Sequence, residues 1–159
     1  MKYYEFEYWP FDKKDNIKEY WSLVEMPKEW AEHEPNKVNT FPYYDSPNLN
    51  WCLVELEAEN QVEAFVKAWM LVIEEKYQDL PSVINEYYRV TRTLCLDEGD
   101  GIEIDWSIIA LEESDLKYQL NKVVNIHSIY TVEVKTTNVM EAFQFGDSLI
   151  EQYKENKHE

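Results

Sequence analysis

A strand followed directly by a capped helix occurs twice in this chain, in one register and without gaps. In the first copy Cys52, Val54, Leu56 and Ala58 alternate with Leu53, Glu55 and Glu57, a period of two that gives a strand one apolar face. Asn60 then caps a helix, with Glu63 at the reciprocal position of a capping box. Val62, Phe65, Val66, Trp69, Ile73 and Tyr77 recur at the spacing of one broad helical face. In the second copy Tyr130, Val132, Val134 and Thr136 form the strand and Asn138 and Glu141 the box. The helix runs on through Phe143, Gly146, Ile150 and Tyr153. At a fixed offset Glu55, Asn60, Glu63, Ala64, Phe65, Leu71 and Lys76 fall on Glu133, Asn138, Glu141, Ala142, Phe143, Leu149 and Lys154. Convergence on a good strand-to-helix turn would reproduce the cap and the alanine. Reproducing the whole register favours an internal duplication of units spanning about 51–78 and 129–156.

The remaining segments extend this pattern. Tyr4, Phe6 and Tyr8 alternate with Tyr3, Glu5 and Glu7, so residues 2–9 read as an aromatic strand that Pro10 ends. Ile17, Tyr20, Trp21 and Val24 fall at helical spacing behind the caps Asp15 and Asn16, which predicts a helix there. A shorter helix is expected from Pro27 through Trp30 to about His33. Residues 35–50, rich in proline, asparagine and aromatics, read as an ordered but irregular loop. Tyr88, Val90, Leu94 and Leu96 lead into the turn Asp97-Glu98-Gly99-Asp100-Gly101, and Ile102, Ile104, Trp106, Ile108 and Ala110 return as its partner strand. Residues 112–125 read as a polar connection with a helical turn around Leu116–Leu120. From Trp51 the order is strand, helix, three strands, helix. The expected fold is α+β, one domain over residues 1–159. A mainly antiparallel sheet carries helices on one face in a ferredoxin-like arrangement.

Several classes are excluded or disfavoured. The chain is 45% hydrophobic and 15% aromatic, unlike disordered sequences, which lack the apolar surface to offset ordering entropy. A domain of this length buries roughly 68–70% of its unfolded surface and needs no metal or disulfide staple. Cys52 and Cys95 are too few for a disulfide framework, and each lies in a strand-like run as a structural thiol. The opening MKYYEFEYWP has no apolar core of a secretion signal, and no apolar run approaches the ~20 residues of a membrane helix. A cytoplasmic location is expected, with no membrane partner.

Catalytic signatures are missing from the sequence. Glu29 and His33 would lie one helical turn apart, but no second histidine accompanies them, and a solvated helix face explains them better. The Asp97–Gly101 turn concentrates carboxylates, yet glycine stands at the third and fifth positions an EF-hand loop would use for ligands. With only Gly99, Gly101 and Gly146, no phosphate-cradling loop can be built. Gly146 is expected to mark a close approach of its helix to the sheet. Arg89 and Arg92, on opposite faces of their strand, are expected to pair with nearby acids. No catalytic residue, metal or cofactor is assigned.

The net charge is −17, from 32 acidic against 15 basic residues. Such a field repels nucleic acid and speeds encounter with cationic partners. Interfaces favour aromatic anchors. The leading expectation is therefore a non-enzymatic binding protein that neutralises a basic protein or nucleoprotein complex, as immunity and phage anti-defence proteins do. A nuclease or nucleic-acid-handling complex would be the target, and the acidic surface would stand in for nucleic acid. Phe41, Tyr43, Tyr44, Asp45 and Trp51 of the aromatic loop, with Asp97, Glu98 and Asp100 of the acidic turn, are the candidate partner-binding residues. The alternatives are a small-molecule binding or sensing domain with an aromatic-lined pocket, and an enzyme using dispersed carboxylates. Homo-oligomerisation is left open.

Overall fold

The computed structural model describes residues 1–10, 19–42, 50–76, 85–97 and 101–157, and within these the side chains of 95–97, 101–103 and 157 lie outside the description. The chain divides into two compact units, Met1–Ser82 and Val83–Glu159. Each is α+β, and every pairing described within it is antiparallel.

In the first unit the strands are β1 (Lys2–Trp9), β2 (Tyr20–Met26), β3 (Asn39–Pro42) and β4 (Asn50–Ala58), followed by helix α1 (Gln61–Lys76). They lie side by side in the order β3-β4-β1-β2. The alternation read in β1 and β4 decides which face is covered. Tyr4, Phe6 and Tyr8 and, across the pairing, Cys52, Val54 and Leu56 are all at most 1% exposed. Helix α1 covers them, with Phe65 edge-on to Phe6 at 5.3 Å and Trp69 edge-on to Tyr8 at 4.7 Å. Aromatic pairs of this kind add about 0.5–1.5 kcal/mol to the area they bury. Asn60 caps the helix by accepting the Glu63 N–H at 2.9 Å.

The second unit repeats this element order with β5 (Tyr87–Asp97), β6 (Gly101–Leu111), β7 (Val124–Ile126), β8 (Ile129–Lys135) and α2 (Val139–Lys157), its strands ordered β7-β8-β5-β6. Asn138 caps α2 through the Met140 N–H at 2.8 Å. Gly146 sits where the helix crosses β5. A Cβ there would lie 2.7 Å from a Val90 methyl and 2.9 Å from its Cβ, so the close approach expected from the sequence is real. The two arginines also divide as expected. Arg89 pairs with Glu133, while Arg92 turns to the helix, 3.8 Å from Asp147 and paired with Glu151.

Four local expectations fail. Tyr20, Trp21 and Val24 lie in strand β2 instead of a helix. Trp21 and Leu23 turn inward with Trp21 edge-on to Trp69 at 5.6 Å, so pairing with β1 decides these residues, while Asp15, Asn16 and Ile17 of the same expectation lie outside the described residues. The helix expected from Pro27 to His33 is a single 3-10 turn, Lys28–Trp30, and that around Leu116–Leu120 is a 3-10 turn at Glu113–Asp115. The loop 35–50 is not wholly irregular, because Asn39–Pro42 adds as an edge strand to β4. Neither unit has the strand and helix order of a ferredoxin-like fold. Each is four strands closed by one C-terminal helix, and α1 packs back on its own strands.

Candidate functional site

In each unit the face of the strands that carries no helix holds the unusual chemistry. On the first unit, Tyr3, Glu5, Glu7 and Trp9 of β1 alternate away from α1, as do Trp51, Leu53, Glu55 and Glu57 of β4. At one end of this face three half-buried rings form a row. Trp9 and Trp51 stack at 4.6 Å and 4°, Phe41 stacks on Trp51 at 4.8 Å and 29°, and His33 stands edge-on to Phe41 at 6.2 Å. Cross-strand pairing builds the row: Phe41 faces Trp51, and Trp9 lies one residue beyond the Tyr8–Cys52 pair.

Carboxylates occupy the middle of the face. Glu55 is 1% exposed and accepts the Tyr3 hydroxyl at 2.8 Å and the backbone N–H groups of Glu32 and His33 at 3.2 and 3.1 Å. It thereby pins the segment after the 3-10 turn across the sheet. Asn36, at φ 63°, ends that segment by donating its N–H to the Glu55 carbonyl at 2.8 Å. Asparagine tolerates this left-handed backbone better than most residues. Burial, then the Glu55 carboxylate, push the Tyr3 hydroxyl well above the usual phenol range and keep it a donor. Glu5 stands directly across from Glu55, and Glu7 is two residues further on. Glu7 accepts from Trp9 Nε1 at 3.3 Å and Ser22 Oγ at 3.5 Å, both through one oxygen.

Burial first, then Glu7 and Glu55, raise the Glu5 carboxyl above its ordinary value, against a smaller lowering by His33. Among the described residues no lysine or arginine forms an ion pair with Glu5, Glu7 or Glu55. Because its folded value is raised, the group's contribution to stability is full below the unfolded value and is lost as pH rises through the folded one. Glu5→Gln, which imitates the protonated form, is therefore expected to stabilise the first unit at pH 7 by roughly 0.2–1 kcal/mol, the scale of a cross-strand like-charge pair. That gain should vanish below the ordinary carboxylate range; urea unfolding at pH 7 and pH 3 measures both. A gain equal at the two pH values would show that charge is not its cause.

The equivalent position of the second unit is occupied differently. Glu133, fully buried, accepts the Lys117 and Tyr118 N–H groups at 2.9 and 2.6 Å, and Asn121 at φ 66° donates to its carbonyl. Directly across from it stands Arg89 instead of a glutamate, bonding Glu133 Oε2 through Nε at 3.1 Å and Nη2 at 2.9 Å. At the end of this face Ile126 and Ile129 are exposed where the first unit has Phe41 and Trp51.

Of the residues singled out by sequence, Phe41 and Trp51 are brought together; Tyr43, Tyr44, Asp45, Glu98 and Asp100 lie outside the described residues, and Asp97 is placed only by its backbone pairing with Gly101. His33 lies past the 3-10 turn, so it shares no helical face with Glu29. The sequence reading missed Trp9, Glu5 and Glu7 as members of the site. Their odd-numbered alternation with Tyr3 already put them on one face. An open cleft of about 500 Å³ also lies on this unit, lined by Tyr3, Lys28, His33, Asn36, Glu57 and Lys67. Lys28 and Glu57 pair across it at 2.7 Å, and the Tyr3 and His33 rings stand in its wall. Among the described residues no cluster of three His, Cys, Asp or Glu could hold a metal, and no helix is long and apolar enough to cross a membrane. No family model, no curated protein and no solved structure matches this chain.

Proposed function

We propose that this protein is an acidic, non-enzymatic binding protein that engages and neutralises a basic protein partner through the helix-free face of its first unit. The observation that carries this reading is the half-buried row Trp9–Trp51–Phe41, set beside Glu5 and Glu7. Aromatic anchors bordered by carboxylates match what interfaces with cationic surfaces use, and the net charge of −17 would steer the encounter. A nuclease or another nucleic-acid-handling protein of the cytoplasm, whose groove is already basic, is the partner such a surface suits. The protein would act there as an antidote or a nucleic-acid mimic.

The two units are further proposed to descend from one β-β-β-β-α ancestor. Support comes from their shared strand order, the buried Glu55 and Glu133, and the left-handed Asn36 and Asn121. On that account the first unit diverged toward binding.

The test is a tagged pull-down from bacterial lysates, eluted stepwise with salt. A basic protein released at high salt is expected. Phe41→Ala and Trp51→Ala should each weaken its binding by about 2 kcal/mol or more, roughly thirtyfold, as anchors do. Far-UV circular dichroism should be unchanged. Retention of no basic protein, or equal retention by both variants, would sink the reading.

A further inference from the structure

The two units answer one structural question in opposite ways. Across from its buried glutamate the second unit places Arg89, whose guanidinium bonds Glu133 through two nitrogens. Across from Glu55 the first unit places Glu5, half-buried, with half-buried Glu7 beside it and no basic side chain paired to either among the described residues. Glu7 borders the aromatic row, since Trp9 Nε1 donates to it, and Glu5 lies two residues back along the same face of β1. All hydrogen bonds that Glu7 receives among the described residues go to Oε2, which leaves Oε1 for an incoming donor.

Resting on the reading of this face as the partner-binding surface, we propose that it takes an arginine side chain of the basic partner, with the guanidinium against the Trp9–Trp51–Phe41 rings and bonded by Glu5 and Glu7. The first unit would thus receive from outside the cation that the second carries within its own chain. A guanidinium suits the place better than an ammonium. It is planar, weakly hydrated, stacks on aromatic rings and forks onto carboxylates, whereas a lysine head is a strongly hydrated point charge. The second unit already uses this combination on its other face, where the Arg92 guanidinium lies 5.5 Å from the Trp106 ring centre and 3.8 Å from Asp147. Burial, with Glu7 and Glu55 beside it and only a smaller lowering by His33, raises the Glu5 carboxyl, which agrees with a face that pairs no lysine or arginine to it among the described residues.

Fluorescently labelled hexa-arginine and hexa-lysine amides, equal in charge, are titrated with the full chain at about 150 mM salt, where long-range attraction is screened beyond ~8 Å. The arginine peptide is expected to bind at least tenfold tighter. Glu5→Arg, which supplies the guanidinium internally as Arg89 does, should abolish that preference while holding or raising the melting temperature. Glu7→Gln should reduce the preference without loss of fold. Glu155→Arg, the same charge change at an exposed site on α2, should leave it intact. Equal affinity for the two peptides would overturn the proposal, as would an arginine preference that survives both face variants, or tighter binding of a thymidine oligonucleotide to the same rings. If lysate capture still depends on Phe41 and Trp51 while the peptides are not distinguished, the binding-face reading stands and only the arginine assignment falls.

Discussion

Phe143→Ala is expected to destabilise the second unit by about 3–5 kcal/mol, and Phe65→Ala the first by a similar amount, because each removes a fully buried ring from beneath its helix. Phe65 meets Phe6 edge-on, and Phe143 meets Trp106 at 6.4 Å, so neither site can collapse without moving a second aromatic. Urea unfolding followed by circular dichroism reads the loss. The two substitutions lie in different units, so their effects can be assigned separately. A cost near zero at either position would mean that its helix does not seal that sheet, and the account of the core would fail there.

The second large effect distinguishes the two buried carboxylates. Glu133→Ala is expected to cost about 3–5 kcal/mol, because it strands Arg89, whose side chain is only 17% exposed, along with the Lys117 and Tyr118 amides. Glu55→Ala removes an acceptor from neutral donors only, the Tyr3 hydroxyl and two amides, for about 1–3 kcal/mol. Part of that is offset by relief of the repulsion with Glu5. Equal costs in urea unfolding, or a smaller one for Glu133→Ala, would show that the arginine contributes little to holding the second unit.

What the sequence could and could not reveal follows from where the deciding interactions lie. Period-two alternation and asparagine caps act within a few residues, so β1, β4, β8, both long helices and the β5–β6 hairpin could be read directly. The close approach at Gly146 was legible because a glycine weakens the interior of a capped helix, and the missing side chain there points to a crowding neighbour. Strand β2 was not, since Tyr20, Trp21 and Val24 satisfy helical spacing and only pairing with β1 decides between the two. Asn39–Pro42 was hidden for the same reason, its strand character coming from β4. Phe41 and Trp51 were singled out as interface aromatics, but Trp51 also stacks on Trp9, which is remote in sequence and joins the row only through the β1–β4 pairing. The burial of Glu55 and Glu133 was obscured most of all. A glutamate alternating with apolar residues ordinarily faces water, and here a backbone segment folded over it supplies donors that no side-chain pattern announces.

That main-chain anchoring bears on how such a protein can change. The segments crossing the strands of each unit are tied down by amide groups, which every residue except proline possesses, and Glu32-His33 in the first and Lys117-Tyr118 in the second are held alike. The side chains there can reverse charge or exchange shape while the tether stays in place. Side chains on these segments can therefore be exchanged over an unchanged fastening, so the surface they present can be altered without rebuilding the fold.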